Sequence, residues 1–231
     1  MNIDARLESL EEKIEASCLR SGRKREELRL MAVTKFQSLE VIEDAWNAGI
    51  RLFGESRVQE GIEKFKEFRE SKEGLELHLV GSLQRNKAKK AAAFFDCIQS
   101  VDRDSLVDEL GALTTGRESP LMVLLEFHTG EETKSGFPDQ ESLFWAADKI
   151  LSFPGLKPCG LMTMAPFTSN EAVIRAAFRK LVAAKAELEK RFSGASWSCL
   201  SMGMTNDYEI AIEEGSTLLR IGSAIFGEIK T

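Results

Sequence analysis

Short apolar runs alternate with longer amphipathic stretches along the whole chain. Continuous apolar runs are typical of strands that are buried on both faces of a parallel sheet, whereas apolar residues spaced three or four positions apart are typical of helices. The apolar runs predict eight strands, at residues 28–35, 51–56, 75–81, 97–101, 121–127, 156–164, 197–203 and 216–223.

The amphipathic stretches predict one helix before the first strand and others between the strands. Apolar residues recur at helical spacing over about residues 3–20, and Ser21-Gly22 ends that pattern. Further helices are predicted at 38–48, around Phe65 and Phe68, in the Lys- and Ala-rich stretch after residue 81, at about 105–113, from about 139, at about 169–192 and after a cap at 205–207.

This alternation predicts the α/β fold class, because a helix after each buried strand is the pattern of parallel βαβ units. Eight such units in 231 residues indicate a closed (β/α)8 TIM barrel, in a single domain that spans residues 1–231. An open doubly wound sheet is the alternative. The Gly-x-Gly-x-x-Gly sequence of dinucleotide-binding domains does not follow the first strand, so the barrel is favoured.

Composition excludes several protein classes. With 43% hydrophobic and 29% charged residues, the chain is not collagen-like, mucin-like or largely disordered. A net charge of −6 argues against general affinity for nucleic acid or anionic membranes. The basic stretch 85–90 is interpreted as a solvated helix face, and a nucleic-acid or protein-interaction module that uses it stays open as an alternative.

Cysteine usage and the N-terminus predict the compartment. Cys18, Cys97, Cys159 and Cys199 are far apart in the sequence and form no Cys-x-x-Cys pair, which favours neither a zinc site nor secretion. The acidic N-terminus has no apolar signal core, and no apolar run approaches the roughly 20 residues of a membrane span. We therefore expect a soluble, cytoplasmic protein.

The carboxyl ends of the strands are where a barrel carries its functional residues. This rule selects a set of polar, sulfur-containing and glycine-rich positions, which are Lys35, Glu55, Ser56, Gly81, Ser82, Met162 to Met164, Ser201 to Met204 and Arg220 to Ser223.

Lys35 ends the first predicted strand, directly after an apolar run. We expect it to project into the barrel mouth, partly desolvated, where loss of water lowers the pKa of an amine and makes it a nucleophile for a Schiff base. The alternative is a lysine that leaves the strand into solvent.

Glycine-containing turns close the seventh and eighth predicted strands, at 201–204 and 220–223. Glycine lets a ligand approach the backbone closely, and successive N–H groups can bind a phosphate, here helped by the hydroxyls of Ser201 and Ser223. Barrels often bind phosphate after strands seven and eight, although a glycine after a strand can also be only a turn.

Arg220 and His78 are expected to point into the barrel. A buried guanidinium needs an acceptor, which could be a ligand, backbone carbonyls or a strand-end acid such as Glu55. His78 alternates with Leu77 and Leu79 and is interpreted as a hydrogen-bonded barrel histidine rather than a catalyst.

Several longer strings identify a family resemblance. They are AVTK (32–35), FGESRVQE (53–60), HLVGSLQRNK (78–87), SVD (100–102), TKSGF (133–137), GLMTM (160–164) and SMGMTNDYEIAIEEGSTLLRIGSAIFG (201–227). In this order they closely resemble the YggS/PROSC family, the pyridoxal phosphate homeostasis proteins, over about residues 5–227.

The resemblance implies the fold-type III class of pyridoxal phosphate (PLP) proteins, with a barrel similar to the N-terminal domain of alanine racemase. It implies that Lys35 holds the cofactor as an internal aldimine and that Arg220 faces the pyridine nitrogen. The residues implied in binding the phosphate or flanking the site are Ser201, Met202, Gly203, Gly222, Ser223 and Met164.

The chain departs from the family pattern at two places. The family usually has Gly-Glu-Asn followed by an aromatic residue, where this chain has Gly54-Glu55-Ser56-Arg57, which puts a cofactor contact at Ser56 in question. The family's Gly-Pro-Leu-Gln is Gly81-Ser82-Leu83-Gln84 here.

The expected function is PLP binding in cofactor homeostasis, including cofactor supply and amino-acid and keto-acid balance, without efficient catalysis. Racemisation needs acid–base groups on both faces of the substrate carbon, and related racemases take a tyrosine from a second domain of a partner subunit. This chain ends soon after the eighth predicted strand, and its single tyrosine is Tyr208. We expect a monomer whose partners are PLP and PLP-dependent apoenzymes, with the loop at 129–136 as a lid over the cofactor.

Two further alternatives stay open. One is an active fold-type III enzyme with weak racemase or lyase activity, in which Lys35 acts as the base. The other is a barrel that binds a different phosphorylated ligand without an aldimine.

Overall fold

Eight parallel strands form a closed barrel in the computed structural model, which describes residues 2–130 and 135–227. The strands are β1 (Arg29–Val33), β2 (Leu52–Glu55), β3 (Glu76–Leu79), β4 (Cys97–Val101), β5 (Leu121–Glu126), β6 (Leu156–Met162), β7 (Cys199–Ser201) and β8 (Leu218–Ile221). Each strand pairs with its neighbour in sequence, and pairing of Ala32 with Ile221 closes the barrel between β1 and β8. The predicted (β/α)8 fold is confirmed.

Helices surround the barrel. They are α1 (Ile3–Arg20), α2 (Leu39–Asn47), α3 (Val58–Ser71), α4 (Ala88–Phe94), α5 (Asp104–Leu113), α6 (Gln140–Leu151), α7 (Glu171–Arg191), α8 (Tyr208–Glu213) and α9 (Ser223–Phe226). Short 3₁₀ turns at Arg25–Glu27 and Arg85–Lys87 precede β1 and α4. The sequence predicts all of these helices except α9.

The seventh strand is shorter than its apolar run predicts. Trp197 is buried beside Phe192, at 6.2 Å between ring centroids. It therefore packs in the layer outside the barrel and is not part of the strand. At the other end Gly203 has a φ of +98°, which ends the extended conformation. Only three residues, Cys199 to Ser201, remain in β7.

Outward-facing strand residues pack against the helices and form the main core. Phe53 of β2 lies 5.6 Å from Phe65 of α3, between ring centroids, and Phe68 stacks edge-on against both rings. Phe53, Phe65 and Phe68 therefore fill part of the layer between the barrel and its helices.

Inward-facing residues form two small apolar clusters. Met31, Leu52 and Leu218 pack together on one side of the barrel. The other cluster is made by Cys97, Leu124 and Met162, with partly buried neighbours that include Cys159 and Cys199. Strand alternation sends these residues inward and their neighbours to the outer core.

The N-terminal helix α1 covers the place where the barrel closes. Its buried face, which includes Leu10 and Ile14, packs against α8, α9 and α2. Because α9 has only four residues, α1 supplies the apolar face that a full helix after β8 would otherwise supply. The side chain of Arg20 pairs with Glu209 of α8 at 2.9 Å.

Within residues 2–130 and 135–227, no helix has the length and apolar character needed to cross a bilayer.

Candidate functional site

A cavity of about 740 Å³ lies at the carboxyl ends of the strands. This volume is within the range of small-molecule sites, which runs from about 300 to 1,000 Å³. Of the residues that the sequence selects as candidates, those that line the cavity are Lys35, Ser56, Gly81, Ser82, Met164, Met204, Arg220, Gly222 and Ser223. The strand-end rule therefore finds this site.

Lys35 lines the cavity but is exposed to solvent. Its Nζ lies over the ring of Phe36, 4.6 Å from the centroid, and Phe36 is itself 55% exposed. The expectation of partial desolvation is wrong, because Lys35 lies in the turn after β1, at the open side of the mouth, rather than inside the strand.

Thr34 fixes the backbone from which Lys35 projects. Its hydroxyl donates to Glu55 Oε1 at 2.7 Å, and its carbonyl accepts a hydrogen bond from Lys64 Nζ at 2.9 Å. Lys64 also pairs with Glu55 Oε1 at 2.9 Å. A buried ion pair thus holds the residue that precedes Lys35.

Glu55 is therefore not the partner of Arg220, and that interpretation is wrong. Glu55 is fully buried, but it faces α3 on the outside of the barrel, where its Cβ lies against Gly61. Alternation along β2 sends Gly54 inward and Glu55 outward. The guanidinium and the carboxylate lie on opposite sides of the barrel wall.

Arg220 points into the barrel, as predicted, and is 5% exposed. Its NH1 group donates to the Ser201 carbonyl at 2.6 Å and to the Ser201 hydroxyl at 2.8 Å, and NH2 donates to the Thr163 carbonyl at 2.8 Å. Burial lowers the pKa of Arg220, while the carboxyls of Asp207 and Glu126 act in the opposite direction. Three of its five N–H donors are used, so the others can serve a ligand in the cavity.

Ser201, Met202 and Gly203 lie behind the cavity wall. All three are buried, and the Ser201 hydroxyl donates to Gln99 at 2.6 Å and accepts from Arg220. The side of the seventh turn that lines the cavity is formed instead by Met204, Thr205, Asn206 and Asp207. The cofactor contacts expected at residues 201–203 stay predictions.

The seventh and eighth turns are joined next to the cavity. The Ala224 N–H donates to the Thr205 hydroxyl at 3.3 Å, and the Met204 N–H donates to the Asp207 carboxylate at 2.6 Å. Burial raises the pKa of Asp207, and the bond from Met204 acts against that rise. These bonds hold Thr205 beside Gly222 and Ser223 at one end of the cavity.

Glu126 is a cavity residue that the sequence reasoning missed. It ends β5, lines the cavity, is 3% exposed and accepts a hydrogen bond from the Ser135 hydroxyl at 2.6 Å. Burial raises its pKa, against the effect of Ser135 and Arg220. The sequence could have identified Glu126, because it ends a buried apolar strand and the strand-end rule that selects Lys35 applies to it as well.

The loop expected to form a lid is described only in part, because residues 131–134 lie outside the described ranges. Ser135 lines the cavity. Tyr208 lines a separate cavity of about 320 Å³, together with Arg20 and Glu213. Burial raises the pKa of Tyr208 to about 12.

Comparison with known proteins identifies the relatives of this chain. Residues 7–230 match the family described as alanine racemase, N-terminal domain. A pyridoxal phosphate homeostasis protein of Aquifex aeolicus is 37% identical over 230 residues, an alignment that covers 100% of each chain. The corresponding protein of Haemophilus influenzae is 39% identical and covers 98% of this chain and 96% of its own length.

Solved structures agree with this assignment. PipY of Synechococcus elongatus with bound PLP is 32% identical, with a TM-score of 0.84 over 98% of this chain and 100% of that one. An alanine racemase from Clostridium difficile is 12% identical, with a TM-score of 0.78 over all of this chain and 60% of that one, which shows the shared barrel fold.

Proposed function

Since this chain belongs to the family of pyridoxal phosphate homeostasis proteins, whose barrel is that of the alanine racemase N-terminal domain, we propose that it binds pyridoxal 5′-phosphate. Its role is cofactor homeostasis, which comprises carriage and supply of PLP and balance of amino acids and keto acids. The observation that carries this proposal is one cavity lined by a primary amine, a buried guanidinium and a glycine–serine turn, from Lys35, Arg220 and Gly222-Ser223.

The space and the backbone conformation at Gly222 indicate whether the cavity fits a phosphorylated ligand. A Cβ at this position would meet only Val33, at 3.4 Å from its carbonyl oxygen, and the φ of −114° suits any residue. Neither packing nor backbone conformation requires glycine there. Close approach of a ligand to the backbone would require glycine at this position. A phosphate bound by backbone N–H groups and by the Ser223 hydroxyl is such a ligand.

Lys35 and Arg220 bind the two reactive parts of the cofactor. When bound, PLP supplies an aldehyde that bonds covalently to a primary amine and a ring that withdraws electrons from it. Lys35 is the amine for that bond. Arg220 can only donate hydrogen bonds, so it binds a pyridine nitrogen that carries no proton and keeps the ring a weak electron acceptor.

The remaining predicted contacts divide into two groups. Met164 lines the cavity and would flank the bound ring. Ser201, Met202 and Gly203 act from behind the wall, where Ser201 holds the Arg220 guanidinium. Ser56 lines the cavity, so it is available to the cofactor as well.

The protein binds the cofactor without efficient turnover. Racemisation of an amino acid requires acid–base groups on both faces of the substrate carbon. Tyr208 is 6% exposed and lines a different cavity, so it does not supply the second group.

A weak fold-type III racemase or lyase activity is the second candidate function, and Glu126 favours it. A buried carboxyl that lines the same cavity as Lys35 can exchange a proton with a bound amino acid. Incubation with L-amino acids and detection of D-isomers tests this activity, and sustained turnover would overturn the carrier function.

Further features of the proposal concern the context of the protein. We propose that it acts as a monomer, that residues 1–231 form one domain, and that PLP-dependent apoenzymes receive the cofactor. Its four cysteines are free, which is typical of the cytoplasm. The stretch 85–90 does not serve nucleic acid in this proposal, because a chain with a net charge of −6 lacks the basic surface that nucleic acid requires.

The first prediction tests Lys35 directly. The purified protein with added PLP is expected to be yellow, and borohydride treatment should make the attachment permanent on Lys35. Lys35→Ala should lose the permanent label, while Lys185→Ala, which removes a lysine paired with Glu189 on α7, should keep it. Absorption spectra and peptide mapping measure the result. A wild-type protein that stays colourless with added cofactor would contradict the proposed function.

A further inference from the structure

A chain of side-chain hydrogen bonds crosses the inside of the barrel and ends at Arg220. It begins at the opposite face, where the half-exposed Arg29 starts β1. The donor–acceptor distances are 2.5 Å for Arg29 to Glu76, 2.6 Å for Glu76 to His78, 2.7 Å for His78 to Gln99, 2.6 Å for Gln99 to Ser201 and 2.8 Å for Ser201 to Arg220.

The middle of this chain is closed to solvent. His78 is 4% exposed, and Gln99 and Ser201 are fully buried. Polar groups in such surroundings must satisfy each other, because no water replaces a missing bond. Each side chain therefore restricts which atom its neighbour presents.

Arg220 decides the direction of each bond from Ser201 to Glu76. A guanidinium can only donate, so the Ser201 hydroxyl oxygen accepts from Arg220 and its single proton goes to Gln99. The Gln99 carbonyl oxygen accepts that proton, so the Gln99 amide NH2 group faces His78. The donors from Arg220 to His78 then all point away from the cavity, and Arg29 donates to Glu76 from the opposite face.

His78 has only one tautomer that fits. Because the Gln99 NH2 group donates, His78 Nδ1 must accept and carries no proton, and the proton is on Nε2, which donates to Glu76. Glu76 is a suitable end for the chain. Burial by itself would raise its pKa, but hydrogen bonds from His78 and Arg29 outweigh burial and lower the pKa to about 2.

We propose that Gln99 and His78 are positioning residues for Arg220, which fix the Ser201 hydroxyl so that its lone pair faces the guanidinium. The consequence for the cofactor rests on the proposed function, in which Arg220 binds the pyridine nitrogen. The single tautomer of His78 does not rest on the proposed function, because it follows from the hydrogen bonds of the protein alone.

The reversed arrangement is disfavoured by the same bonds. If His78 carried a proton on Nδ1, the Gln99 amide would have to rotate and turn its NH2 group toward Ser201. The Ser201 oxygen would then accept from both Gln99 and Arg220, and its own proton would lose the Gln99 acceptor. The orientation of Arg220 is thereby coupled to the amide of Gln99.

Nitrogen NMR of the imidazole rings tests the proposal without cofactor. The chain has two histidines, so His128→Asn assigns the signals of His78. At pH 7 we expect a neutral ring with its proton on Nε2. A proton on Nδ1, or on both nitrogens, in the wild-type protein would overturn the proposal.

Two substitutions of Gln99 separate positioning from packing. Gln99→Met keeps the volume and removes both hydrogen bonds, so His78 should lose its single tautomer. Gln99→Glu still accepts from Ser201 but also accepts from His78, which should become protonated on both nitrogens. Thr114→Val removes another fully buried hydroxyl, bonded to Leu110 at the end of α5, and should leave the His78 signals unchanged.

The same variants test the effect on the cofactor through PLP titration and the absorption spectrum. Gln99→Met should weaken PLP binding roughly tenfold and shift the spectrum, as expected for a mispositioned charged donor. Gln99→Glu should bind within about threefold of the wild type. If Gln99→Met binds PLP as tightly as the wild type, the positioning role is overturned. If Gln99→Met does not fold, weak PLP binding by a folded Gln99→Glu protein would also overturn it. Failure of the wild type to bind PLP would instead contradict the proposed function, and the NMR result would still stand.

Discussion

Gly203 and Gly222 close neighbouring strands, but they need glycine for different reasons. Gly203 has a φ of +98°, and a Cβ there would lie 2.7 Å from that of Ala211. Gly222 has an ordinary φ and room for a Cβ on the cavity side. One glycine is required by the fold, and the other is available to a ligand.

Alanine substitutions should separate these two roles. Gly203→Ala should lower the free energy of unfolding by about 3 kcal/mol, through backbone strain together with overpacking. Gly194→Ala is the control, since a Cβ there meets nothing within 4 Å. Urea unfolding measures both variants. A Gly203→Ala protein as stable as the control would show that the turn relaxes freely.

Gly222→Ala should behave in the opposite way. Its stability should stay within about 0.5 kcal/mol of the wild type, since the methyl group meets only ordinary contacts. PLP binding should weaken, because the methyl group keeps the phosphate from the backbone. Titration with PLP, compared with titration with pyridoxal, isolates the phosphate contribution. An equal loss for both ligands would contradict a phosphate contact at Gly222.

At the scale of elements, the barrel depends on a helix from the other end of the chain. The last strand is followed by the single turn of α9, and α1 packs against that turn and against α8. Ion pairs from Arg20 to Glu209 and Glu213 border the contact at 2.9 and 3.3 Å. Exposed pairs of this kind contribute little, so the apolar face of α1 provides most of the stabilisation.

Truncations on α1 measure this contribution. Ile14→Ala removes a fully buried side chain and should destabilise the whole protein by about 2 to 4 kcal/mol. Leu19→Ala on the same helix removes a side chain that is 83% exposed and should change stability by less than about 0.5 kcal/mol. Urea unfolding followed at the tryptophans, none of which is in α1, tests whether the loss reaches the barrel. A small effect of both variants would mean that α1 unfolds independently.

At the scale of the whole molecule, stability should depend on acidic pH through Glu76. Its pKa falls from an ordinary value of 4.5 to about 2 in the folded protein. A depressed carboxyl pKa stabilises the fold above the unfolded pKa, and that stabilisation is lost as pH falls from about 4.5 towards 2.

Glu76→Gln should remove this part of the pH dependence. The glutamine carbonyl can still accept from His78, so the change mainly removes the charge. The wild type should be more stable near pH 6 by up to roughly 3 kcal/mol, and the difference should shrink as pH falls to 3. Urea unfolding of both proteins from pH 3 to 6 measures it. A difference that does not vary with pH would show that Glu76 is not held as a carboxylate by its partners.

Local patterns in the sequence are enough to predict the barrel and the face that carries the site. Strand alternation and apolar runs are local properties, so they predict eight strands, an inward Arg220 and a hydrogen-bonded His78 without any knowledge of tertiary contacts. The strand-end rule also placed Lys35, Gly222 and Ser223 at one mouth. Glu126 could have been found in the same way.

Only the tertiary structure decided which strand-end groups reach the cavity and what they contact. Lys35 lies exposed in the turn after β1, Ser201 at the end of β7 is behind the cavity wall, and Glu55 at the end of β2 faces outward to Lys64. The hydrogen-bond chain from Arg29 to Arg220 joins residues of five strands, which are β1, β3, β4, β7 and β8. Such contacts depend on the register in which all eight strands pair and β1 meets β8, which joins residues from opposite ends of the chain.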